Sequence, residues 1–132
     1  MTTLCPCHSG KPYSNCCEIY HNGKLPENAL QLMRSRYSAY AKHDFDYIMH
    51  TTHPSGPHFK SDKQKWKSEI LNSYSDTQFE DLKILEFIDG TSVAYVTFFA
   101  KLSHAGRDTS FTEKSYFVKE DKKWLYYGRV ND

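Results

Sequence analysis

The chain has 132 residues, with 17 lysines and arginines against 16 aspartates and glutamates and a formal net charge of +1. That length holds one compact domain plus a small module, and so even a balance leaves no chain-wide positive field for binding free nucleic acid. No run approaches the roughly 20 apolar residues of a membrane span, and Met1-Thr2-Thr3-Leu4 offers no apolar leader, so the expectation is a soluble, cytoplasmic protein with reduced thiols.

All four cysteines, Cys5, Cys7, Cys16 and Cys17, lie near the N-terminus. A disulfide framework would spread them through the fold that it staples. Two close pairs joined by a reverse turn instead suit tetrahedral Zn²⁺, which takes four thiolates at roughly 2.3 Å. Ser9-Gly10 and Lys11-Pro12 are turn formers, and Ser14 or Asn15 suits the cap of a short helical turn carrying the last two ligands. His8 and His21 are expected to be bystanders, although either could replace a cysteine ligand. A Cys₄ site has no open coordination position for chemistry, so the metal by itself accounts only for folding.

Residues 1–24 form the expected metal module, ended by Asn22-Gly23, and residues 25–132 the body. A helix is predicted from Leu25-Pro26-Glu27-Asn28 to Lys42, with Leu30, Met33, Tyr37, Tyr40 and Ala41 on one buried face. Arg34 falls within that face, so it is expected to meet a buried carboxylate or to stand in a cavity, whereas Arg36 nearer the edge is expected to be solvated. A short helix follows at Asp44–Met49, stopped by His53-Pro54-Ser55-Gly56-Pro57. A third, Lys63–Asn72, turns Trp66, Ile70 and Leu71 inward.

Beyond Ser75 the period becomes alternating. Strands are predicted at Phe79–Ile88, Val93–Leu102, Phe111–Lys119 and Trp124–Val130, with a positive-φ turn at Asp89-Gly90. Ala94, Val96, Phe98, Ala100 and Leu102 share one face of the second strand, and Phe111, Glu113, Ser115 and Phe117 one face of the third. Three helices followed by four antiparallel strands make an α+β fold.

The string from Cys5 to Cys17 closely resembles the SEC-C motif in its cysteine frame, its Ser-Gly pair and Tyr13. That motif is the zinc module found at the C-terminus of the SecA translocation ATPase, where it contacts the chaperone SecB and the ribosome. The strand order resembles the cone of nuclear-transport-factor-2-like (NTF2-like) proteins. Leu32–Tyr40, the His53-Pro54 pair and Phe111–Phe117 resemble the bacterial YchJ-like family, which joins a SEC-C module to such a cone. Many members carry a second cysteine module after the cone; none follows here through Asp132, so a function needing two is not expected of this chain.

The resemblance implies a Zn²⁺-binding adaptor for a chaperone or ribosome-associated protein. The other reading is a small-molecule site or a hydrolase- or isomerase-type enzyme inside the cone. Arg34, Tyr37, Tyr40, His53, Trp66, Glu113 and Tyr126 are the candidate pocket residues, with His53 or Glu113 as base and a tyrosine or Arg34 facing an oxyanion. The plainer account is an Arg34–Glu113 ion pair in the core and tyrosines that simply pack. No nucleophile motif or phosphate-binding glycine loop supports catalysis.

A small nucleic-acid surface at His8, Lys11, Tyr13 and Lys24, or at Lys60, Lys63, Lys65 and Lys67, is the third class, and free nucleic acid is disfavoured. Tyr95, Phe99 and Tyr127 suit a homodimer contact on the outer sheet face or packing under the zinc module. With two separate modules, Cys16→Ser is expected to release the metal and leave unfolding of the cone nearly intact.

Overall fold

The computed structural model describes residues 3–130, so the expectations placed on Met1, Thr2 and Asp132 fall outside the described residues. A 3₁₀ turn at Tyr13–Asn15 leads into helices α1 (Glu18–His21), α2 (Ala29–Ala41), α3 (Phe45–His50) and α4 (Lys63–Tyr74). Helix α2 begins after Pro26. Asn28 caps it by accepting from the Gln31 amide, while the Gln31 side chain accepts from the Glu27 amide, so Leu25–Asn28 stays outside the helix. Asp44 and Asp62 cap α3 and α4 in the same way.

The sheet comprises β1 (Thr77–Ile88), β2 (Val93–His104), β3 (Arg107–Asp108), β4 (Phe111–Glu120) and β5 (Lys123–Arg129). Its order is β1-β2-β4-β5, antiparallel throughout, with the two-residue β3 paired to the end of β2 beside the four expected strands. Ala94, Val96, Phe98, Ala100 and Leu102 are all buried, as the alternation of β2 requires. Register breaks between Phe79 and Asp81 and between Ile84 and Glu86 bend β1 and give the sheet its curve.

Three details of the sequence reading change. The positive-φ hairpin turns are Ala105-Gly106 and Asp121-Lys122, not Asp89-Gly90. Gly90 is required for another reason, since a Cβ there would lie 2.1 Å from the Val93 carbonyl oxygen. Leu71 is 44% exposed, because α4 turns inward only Trp66 and Ile70. Helix α2 does not bury a single stripe: Ala29, Leu32, Ser35, Ser38 and Ala39 have no exposure, because the sheet, α3 and the cysteine segment enclose it on several sides.

The cysteine segment is no loose appendage. Cys5, Cys7 and Cys17 belong to the same buried cluster as Leu32, Met33, Tyr37 and the inner-face residues Leu82, Ala94 and Val96. A second cluster joins α3 to α4 through Phe45, Ile48, Met49, Trp66 and Ile70. At the β5 edge the chain after α3 adds a short parallel bridge, in which the Tyr126 amide donates to the Thr51 carbonyl at 2.8 Å and the His53 amide to the Tyr126 carbonyl at 2.9 Å. That covers part of an edge that would otherwise offer unpaired groups.

Candidate metal centre and cone cavity

Residues 3–12 form a tight ribbon. Leu4 bridges Pro12, the Cys5 amide donates to the Lys11 carbonyl at 2.9 Å, and His8 and Gly10 take positive φ at the bend. This brings Cys5 and Cys7 back toward Cys16, just after the 3₁₀ turn, and Cys17, which precedes α1. The four Sγ atoms lie within 4.8 Å of one another and none is in a disulfide. Cys7 and Cys16 are 3.6 Å apart and Cys16 and Cys17 4.0 Å. Zn–S bonds of about 2.3 Å in a tetrahedron place sulfurs about 3.8 Å apart, so the cluster fits a four-thiolate ion.

Its charge state points the same way. Contacts from the Cys17 and Cys7 side chains hold the Cys5 thiol far below its usual range, while contacts with Cys5 and Cys7, then burial, push Cys17 far above it. Burial also raises Cys16, opposed by the Ser9 hydroxyl. Buried sulfurs this close cannot all ionise without a cation among them. The hydroxyls of Ser9 (3.2 Å from Cys16) and Ser38 (3.7 Å from Cys5) supply outer contacts of the kind that orient metal ligands.

The histidines are occupied elsewhere. His21 Nε2 donates to the Ser35 carbonyl at 2.8 Å and Nδ1 accepts from the Tyr13 hydroxyl at 2.7 Å, which ties the cysteine segment to the middle of α2. His8 Nε2 lies 3.2 Å from the Phe79 carbonyl. Tyr13 is half-buried, with the Lys42 ammonium 4.4 Å from its ring centre. Lys60 and Lys67 are paired with Glu69 and Asp46, which divides the lysine patch.

The cone holds a cavity of about 210 Å³. Of the candidate pocket residues, Tyr37, Tyr40, Glu113 and Tyr126 line it, and Trp66 lines a neighbouring cavity of about 260 Å³. Arg34 and His53 line neither. Arg34 donates to the Cys7 carbonyl at 3.2 Å, so the expected Arg34–Glu113 pair is replaced by a clamp on the cysteine ribbon. His53 is buried, accepts from the Ser55 amide at Nδ1, and therefore carries its proton on Nε2, 2.8 Å from Glu120. It is a structural donor rather than a base facing the cone.

The buried arginine is Arg36, 7% exposed. Its Nη1 donates to the Ile48 carbonyl at 3.0 Å and to the hydroxyls of Thr51 and Thr52, and its guanidinium lies 4.5 Å from the Tyr126 ring centre. Glu113, which also lines the cavity, accepts from Ser115 at 2.6 Å and Tyr126 at 2.9 Å through one oxygen. Burial, then the Glu113 charge, raises the Tyr126 phenol, keeping it the donor. Burial likewise pushes Tyr74 up to about 12, aided by Tyr40 and Glu113. Arg36, Tyr74 and His58 were outside the sequence-based set. A helical wheel gives Arg36 no inward bias until α3 and the Thr51–His53 bridge close over it.

Residues 28–128 match the family model for the YchJ middle NTF2-like domain, and residues 1–19 match the SEC-C motif. The chain belongs to the YchJ-like family. A UPF0225 protein from Serratia proteamaculans is 37% identical over 131 residues, covering 96% of this chain and 82% of that protein. The solution structure of a SEC-C motif containing protein from Rhodopseudomonas palustris, 28% identical, superposes with a TM-score of 0.80 over 100% of this chain and 99% of that one. An NTF-2 like protein from Shewanella oneidensis, at 16% identity, shares the fold alone, with a TM-score of 0.56 over 76% of this chain and 92% of its own. The YchJ-like chain thus combines an NTF2-like cone with a cysteine cluster able to hold a metal. None of its described helices is long and apolar enough to cross a membrane.

Outside the cone, Tyr95, Tyr116 and Tyr127 form a ladder with ring centres 5.5 and 5.3 Å apart, and His53 approaches Tyr127 at 5.2 Å. Tyr95, Phe99 and Tyr127 are half-buried on that outer face. The cysteine segment shares its cluster with the inner face instead.

Proposed function

We propose that this YchJ-like chain is a cytoplasmic adaptor whose Cys5, Cys7, Cys16 and Cys17 bind Zn²⁺ as a structural ion and whose metal ribbon and α1 present a docking face to a protein partner, a chaperone or a ribosome-associated protein. The observation that carries this reading is the contrast between the two sides of the cysteine segment. Its inner side is buried in the common core, while its outer side leaves Leu4 62% and Ile19 36% exposed, with the Lys24 amide donating to the Ile19 carbonyl at 3.1 Å. The thiolates complete the coordination of the ion, so the metal fixes shape and the exposed apolar and basic residues make the contact.

The test is co-sedimentation and pull-down of the zinc-loaded chain with purified bacterial ribosomes and, separately, purified SecB. Ile19→Asp, which alters only the outer side, serves as control. Retention by either partner that Ile19→Asp abolishes supports the adaptor. Retention by neither, or retention unaffected by Ile19→Asp, overturns it.

A further inference from the structure

The cone cavity carries an inference independent of the docking face. Its lining is apolar at Met33, Phe79, Phe98 and Phe117 and charged at Arg36 and Glu113. All the hydrogen bonds of Arg36 described above leave from Nη1, so its Nε and Nη2 donors have no partner among the described residues beyond the adjacent Tyr40 hydroxyl. Glu113 receives both of its hydrogen bonds on Oε2, which leaves Oε1 as an acceptor. Arg36 and Glu113 form no ion pair with each other. The cavity therefore offers a fixed donor, a fixed acceptor and no net charge, above a greasy floor.

We propose that this cavity binds an uncharged, single-ring aromatic molecule bearing a carbonyl next to an N–H, such as an aryl amide. The volume of about 210 Å³ exceeds the roughly 150 Å³ that suffices for benzene in an apolar cavity. The carbonyl oxygen accepts from Arg36, the N–H donates to Glu113, and the ring lies against the phenylalanines. A carboxylate paired with Arg36 would be repelled by Glu113, and an ammonium paired with Glu113 would be repelled by Arg36, so a neutral ligand is favoured over either charge. Exposed His58, stacked on Tyr126 with ring centres 5.7 Å apart, stands at the rim.

Three single-ring probes of similar size and different charge test this on the zinc-loaded chain: benzamide, benzoate and benzylamine, titrated while backbone amide NMR shifts are followed. Benzamide is expected to give saturable shifts at Ser115, Phe117 and Tyr126, with affinity about tenfold or more above either charged probe. Glu113→Gln removes the negative charge and should move the preference toward benzoate, which a purely structural role for Glu113 would not do. Ala100→Leu, a filling change in the cavity wall, should abolish the shifts while the melting temperature holds, so the test survives if Glu113→Gln does not fold. The inference is overturned if no probe shifts those amides at millimolar concentration, if a charged probe binds the native chain as well as benzamide does, or if Ala100→Leu leaves binding intact.

Discussion

The cysteine segment and the cone cavity lie on either side of α2 and dispose of their polar groups in opposite ways. In the cysteine segment the polar groups turned toward the core meet partners: sulfur beside sulfur, Ser9 on Cys16, His21 between Tyr13 and Ser35, Arg34 on the Cys7 carbonyl. In the cavity, Arg36, Glu113, Tyr40 and Tyr74 converge on space. Satisfied polar networks specify a shape, whereas converging groups with spare capacity are what recognition of a small molecule requires. On this reading one region serves as framework, and the other has the make-up that the proposed ligand site requires.

Metal removal should give the largest effect and breaks the comparison most directly. Structural zinc supplies roughly 10 kcal/mol or more of binding energy that becomes folding energy, comparable with the whole stability of a domain. Because Cys5, Cys7 and Cys17 share the core with Leu32, Met33 and Tyr37, chelation or Cys17→Ser should lower the melting temperature of the entire chain by more than about 10 °C. An apo protein melting within a few degrees of the loaded one would restore the independent-module expectation. Arg36→Met comes next. It strips the partner from Ile48, Thr51 and Thr52 in a buried setting and should cost about 3 kcal/mol in urea unfolding, against about 1 kcal/mol or less for Arg34→Ala. The reverse ranking would return Arg34 to the core. His21→Phe should cost about 2 kcal/mol and speed amide exchange around Ser35, since it breaks both links from Tyr13 to α2.

How much of this was legible follows from the range of the forces involved. The cysteine cluster could be read because its ligands are close in sequence and coordination chemistry fixes their distances. The inner face of β2 could be read because strand alternation is local. The exchange of roles between Arg34 and Arg36 could not. Both lie on one helix two residues apart, and which is buried depends on α3 and the β5 edge closing over Arg36, and on the metal ribbon reaching Arg34. His58 and Tyr74 joined the cavity for the same reason: they come from a loop and a helix end whose approach to β4 and β5 is decided by tertiary packing. The single buried face assigned to α2 failed because a helix enclosed by a sheet, another helix and a metal ribbon has no solvent stripe to betray its orientation.

The smallest effects should come from two tyrosines, one in each region. Tyr47 hydrogen-bonds Ser35 at 2.7 Å and touches the His21 ring at the seam of the cysteine segment, while Tyr74 lines the cavity with no hydrogen bond to a described residue. At neutral pH, Tyr47→Phe should therefore cost about 1 kcal/mol and Tyr74→Phe only a few tenths. Burial pushes both phenols up to about 12 from an ordinary value of 10. The folded chain then keeps protons that the unfolded chain releases, so this stabilisation is complete below pH 10 and is lost as the pH climbs toward 12. Either substitution should flatten that alkaline limb, followed by unfolding midpoints and by phenolate absorbance. If Tyr74→Phe proved as costly as Tyr47→Phe at pH 7, the cavity wall would be as fully bonded as the metal ribbon, and the distinction between framework and receptor would fail.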